Sequence, residues 1–144
     1  MSLPPYRQDI SLEEALGQFD YAASQLVLHP LNGSTEDIEK RRVHILESAT
    51  DANNASSRWI GVLERGYDKA KLSKDLVTRY LRDVDTCMMV LEKTIEWYSR
   101  IEIRESEYNP ESQQIPLIRR EKDIINSYID LMGRRSGLVR KMLN

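Results

Sequence analysis

Apolar residues recur through the middle of the chain in steps of four and three: Val77, Leu81, Val84, Met88, Leu91, Ile95 and Tyr98. That alternation is the stripe of an α-helix packed along a neighbour for several turns, and with Ser73 as its N-cap it predicts a helix over 74–104. Tyr80, Cys87, Met89, Val90, Trp97 and Ile101 add apolar character on other faces, so this helix is expected to have neighbours on two or three sides. A second seam reads Ile38, Arg42, Ile45, Ala49, Ala52, Ser56, Trp59, Leu63, Gly66 and Ala70. Its phase survives the polar cluster at 51–57, where helix propensity is poor. Because a break would reset the phase, the pattern predicts one helix over 36–70.

Two further helices flank this pair. Ser11 followed by Glu14 is a capping-box signature, Leu12, Leu16, Phe19, Ala23 and Leu26 share one face, and Pro30 stops the element, giving a helix over 11–28. The last helix is expected over 116–143, with Pro116 in its first turn and Leu117, Ile118, Ile124, Ile125, Tyr128, Leu131, Met132, Leu138, Val139 and Met142 on its apolar side. Gly133 and Gly137 weaken it and predict a kink or a close helix crossing. Residues 1–10 read as an extended lead-in and 105–114 as the one substantial loop, leaving 11–144 as a single domain. The expected fold class is all-α: an elongated four-helix bundle built on a long antiparallel helical hairpin, without β-sheet.

Composition narrows the function classes. The 144 residues include one Cys, so no internal disulfide can form, and no apolar run reaches signal-peptide or membrane-span length. A cytoplasmic protein is expected. The formal net charge of −2 gives no global attraction to nucleic acid or acidic lipid, so an electrostatic partner must be served by local asymmetry.

That asymmetry lies in the last helix. Arg119, Arg134 and Lys141 fall close together on a helical wheel, with Arg120 beside them, opposite the apolar face. They form either a solvated face gathered toward a helix C-terminus or a contact for nucleic acid or another acidic partner. Glu121 and Arg135 project from the apolar side instead. They are expected either to pair within the chain, for example with Arg42, or to join Trp97 in an oligomer contact.

Catalytic chemistry finds little support. His29 sits at a helix stop and His44 leans outward, so neither is placed to pair with Cys87, and the Glu-x-x-His pattern of di-iron bundles is missing. Asp83, Asp85 and Glu92 lack a carboxylate-rich partner segment for a metal, and Gly61 to Gly66 lacks the Lys-Ser of a phosphate loop. No catalytic residue, metal or cofactor is expected. The expected function is a non-enzymatic helical interaction protein, an adaptor or assembly subunit acting on protein partners, with self-association as a homodimer or higher oligomer. The alternatives are a nucleic-acid-associated oligomer using the basic face, and a ligand-binding or enzymatic bundle.

Overall fold

The computed structural model describes residues 10–28, 38–65 and 72–142. These form four helices and no strand among the described residues: α1 (Leu12–Val27), α2 (Ile38–Glu64), α3 (Lys74–Tyr108) and α4 (Gln114–Met142). The all-α bundle therefore stands as expected.

Local chemistry sets most boundaries. Ser11 Oγ accepts the Glu14 backbone N–H at 3.1 Å, and Ser73 Oγ accepts that of Asp75 at 3.1 Å, so both N-caps act as the sequence predicts. α2 runs without interruption through 51–57, where Ala49, Ala52, Ala55 and Ser56 are fully buried: small residues there admit a close neighbour, and that packing outweighs weak propensity. The continuation expected beyond it, at Gly66 and Ala70, lies outside the described residues. α3 extends one turn past the expected end, to Tyr108, because 105–107 carry no apolar signal yet suit a solvated helical turn. The Asn109 N–H closes that turn on the Glu105 carbonyl at 2.7 Å. α4 begins at Gln114, two residues before Pro116, and passes through Gly133 and Gly137 as one helix.

The contacts fix the order of the helices. On α2 and α4, Arg42 meets Glu121, Thr50 meets Tyr128 and Asn53 meets Arg135, so numbers rise together and the two helices run parallel. α3 and α4 run antiparallel, with Glu102 against Arg119 and Lys122 and Asp85 near Arg140. α1 packs on α2 and on α3, placing it diagonally opposite α4. The circuit is thus α1, α2, α4, α3. The two limbs of the expected hairpin face each other across the core, where Trp59 stacks on Tyr80 at 4.1 Å and Ser56 Oγ shares a hydrogen bond with the Tyr80 hydroxyl at 2.8 Å.

Packing refines the α3 seam. Val77, Val84, Leu91 and Tyr98 are buried as expected, but the residues that complete the core row are Tyr80, Cys87, Thr94 and Ile101. Leu81, Met88 and Ile95 are half-buried beside it, with Met88 Cε 3.7 Å from where a Cβ on Gly133 of α4 would stand. α1 has 16 residues against 35 in α3, roughly 24 Å against 52 Å at the standard helical rise. The Phe19–Tyr80 ring contact and the Asp20–Arg79 ion pair place it beside the N-terminal half of α3. The bundle is consequently four helices thick there and three helices thick toward the α3–α4 turn.

Candidate functional site

α4 repeats every seven residues, and each row of that repeat has a different environment. Ile118, Ile125, Met132 and Val139 are fully buried and anchor the helix in the core. The neighbouring row is polar. Gln114 and Glu121 both accept from the Arg42 guanidinium, Glu121 at 2.6 Å; the Tyr128 hydroxyl pairs with Thr50 Oγ1 at 2.9 Å; and Arg135 donates to the Asn53 carbonyl at 3.2 Å and to its Oδ1 at 2.8 Å. This ladder runs from Arg42 to Asn53 on α2 and from Gln114 to Arg135 on α4. Each rung joins specific side chains, so it fixes which face and which register of α4 meets α2.

The ladder settles the position of Glu121 and Arg135. Both have partners inside the chain, Glu121 with Arg42 as the phase of the two seams suggests, and Trp97 is 6% exposed with its ring edge-on to Tyr98. For Glu121 and Arg135 the structure shows the intrachain role, whereas Trp97, expected at an oligomer contact, is buried within the chain. Arg42 Nε and the Tyr98 hydroxyl are buried nearby without a hydrogen-bond partner. Burial, reinforced by the Glu121 charge and opposed by Arg42, pushes the Tyr98 phenol well above its ordinary range.

The row Ile115, Lys122, Ile129 and Ser136 turns toward α3, and the rows beyond the ladder face outward. Leu117, Ile124, Leu131 and Leu138 follow one another at seven-residue intervals along the flank beside the ladder, and Leu117, Leu131 and Leu138 are 43%, 37% and 53% exposed. Next to them runs the row Arg120, Ser127, Arg134 and Lys141, all exposed. Arg120 and Lys141 have no ion pair among the described residues. Arg134 reaches Asp130 one turn away at 3.1 Å, in an exposed pair that contributes little. Arg119 departs from the expected group: it sits on the α3 flank and donates to Glu102 at 2.9 Å, where Arg119 and Lys122 together hold the Glu102 carboxyl below its usual range. Thus three of the four expected cations form a straight row, and the fourth is a structural pair.

The aliphatic row is the feature that sequence reasoning missed. Its members were all visible on the apolar side of α4, but the core row and this row look like one wide core face until a neighbour is placed, and α2 closes over the ladder row between them.

Other reactive groups are poorly placed for chemistry. Cys87 is buried, and desolvation aided by the Asp83 charge pushes its thiol up to about 12, while His44 is exposed on α2 and His29 lies outside the described residues. No group of three or more His, Cys, Asp or Glu residues arranged to hold a metal occurs among the described residues. A surface depression of about 510 Å³ beside Ile38, Glu39, Lys40, Val43 and His44 is lined, among the described residues, by α2 alone. No helix among the described residues is long and apolar enough to cross a membrane. Compared with known proteins, the chain matches no family model, no curated protein and no solved structure.

Proposed function

We propose that this chain is a helical interaction protein, an adaptor or assembly subunit, that works by offering the outer flank of α4 to a protein partner. The observation that carries this reading is the row Leu117, Ile124, Leu131 and Leu138: aliphatic residues spaced for helix packing, on a helix whose core row and ladder row already have partners within the bundle. Isolated exposed leucines need no explanation, but a row running the length of a 29-residue helix is an unfilled packing seam.

The nucleic-acid alternative is weaker on this geometry. Its four cations do not form one surface, Arg119 is occupied by Glu102, and the exposed row is bordered by leucines rather than by base-stacking aromatics.

Photo-cross-linking in cells tests the reading. A cross-linking amino acid at Leu131 should give discrete protein adducts, and one at Glu92, exposed on α3, should not. Adducts at Glu92 alone would move the interface off α4. Equal smears at both positions would show that neither face docks a partner.

A further inference from the structure

We infer that the occupant of the α4 flank is an amphipathic helix of another protein, about 20 residues long, whose apolar stripe is bordered by Asp or Glu. This rests on the reading of α4 as a docking face and names the chemistry of what docks. Length comes from the row itself: Leu117 to Leu138 covers roughly 32 Å of helix, the span of about three heptads. Helical form follows from the seven-residue interval, which matches a partner laid along α4 and not an extended strand, whose side chains repeat every second residue.

Charge decides between occupants. The row outside the leucines holds Arg120, Ser127, Arg134 and Lys141 and contains no carboxylate. In an antiparallel pairing of two copies through the leucines, with Leu117 on the copy's Leu138, this row would face itself and set Arg120 against the copy's Arg134. A parallel pairing would turn it toward the α2 side, where Glu39, Val43, Thr50 and Ser57 share a stripe whose one carboxylate stands near the level of Arg120. Arg134 already has Asp130, so a second copy leaves Arg120 and Lys141 uncompensated in the antiparallel arrangement and Lys141 in the parallel one. Carboxylates beside a partner's stripe compensate them and favour the acidic partner over a basic one. Nucleic acid would satisfy the cations but would leave Leu117, Leu131 and Leu138 against water or phosphate.

The test is a fluorescence-anisotropy titration of the full chain with three labelled probes: two synthetic helical peptides sharing one leucine stripe, flanked by Glu in one and by Lys in the other, and a short DNA duplex. The Glu-flanked peptide should bind at least about tenfold more tightly than the Lys-flanked one, and its binding should weaken with salt. Leu131→Glu should abolish that binding. Arg120→Glu, Arg134→Glu and Lys141→Glu together should reverse the preference between peptides. All four positions are exposed or part-exposed, and far-UV circular dichroism with Leu131→Gln as a milder variant separates loss of binding from loss of fold.

Equal affinity for both peptides, still lost in Leu131→Glu, would overturn the acidic partner while keeping α4 as the docking face. Tighter binding of the duplex, or a dimer of the chain alone that Leu131→Glu dissolves in sedimentation, would overturn it in favour of nucleic acid or of a second copy. Binding of no probe would also overturn it, and the docking reading would then stand or fall on the cross-linking result at Leu131.

Discussion

Arg42 shows how a charged residue can occupy a core seam. It is 2% exposed, and a buried guanidinium is tolerable only because Glu121 and Gln114 accept from it. The phase of the two seams makes this pair legible in the sequence, since a cation in the α2 row and an anion in the α4 row both point inward. Glu121→Ala should lower unfolding free energy by roughly 3 kcal/mol in urea denaturation, because it strands the cation. Arg42→Met with Glu121→Leu should restore most of that loss, and a double variant no more stable than the single one would contradict the pairing.

Asp83 poses the opposite problem. Burial first, then the neighbouring Asp20, pushes its carboxyl up to about 8, whereas hydrogen bonding to Asp83 and Arg79 and the charges of Arg79 and Arg82 outweigh burial and hold Asp20 low. A raised folded pKa means that the fold favours the protonated acid. Its contribution is complete below the ordinary carboxylate range and is lost as pH rises toward about 8. Melting temperature should therefore fall between pH 5 and pH 9, and Asp83→Asn should flatten that fall. Parallel melting curves for the two proteins would contradict it. Nothing in the sequence shows this pair, because Asp20 and Asp83 meet only when α1 lies on α3.

At the scale of elements, helix identity was readable and neighbour choice was not. The unbroken phase of α2 through 51–57 was visible because Ala and Ser keep the seam without lengthening it. The core row of α3 was harder to see: Cys87 and Thr94 look less like core residues than Leu81, Met88 and Ile95, yet small or hydroxylated side chains suit the crowded centre. Thr94 satisfies its hydroxyl on the Val90 carbonyl at 2.8 Å. α4 runs through its glycines without a break, and the expected close approach is confined to Gly133, since a Cβ at Gly137 would meet nothing within 4 Å. The same open space surrounds Gly61 inside α2. Gly61→Ala should accordingly raise stability by about 0.5–1 kcal/mol in chemical denaturation, and a loss would place a neighbour against α2 at that point.

At the scale of the whole molecule, the short α1 and the parallel α2–α4 contact give the bundle its character. α1 closes one half of the core, α4 is tied to α2 by polar rungs and to α3 by Glu102 with Arg119 and Lys122, and the second apolar row of α4 is left on the outside. A sequence displays the seven-residue repeat of α4, but which row meets a neighbour depends on the order of helices around the core, and that order follows from pairings as distant as Asn53 with Arg135. The expected candidates Glu121, Arg135 and Trp97 were inward for this reason, and the leucine row took their place at the surface.

A docking role for α4 requires that row to be open in the free chain. Methyl NMR of the isolated protein with a soluble paramagnetic agent measures this residue by residue. Methyl signals of Leu117, Leu131 and Leu138 should broaden strongly while those of Ile118, Ile125 and Val139 are spared. Equal protection of both rows would show the α4 flank already covered and would contradict the account.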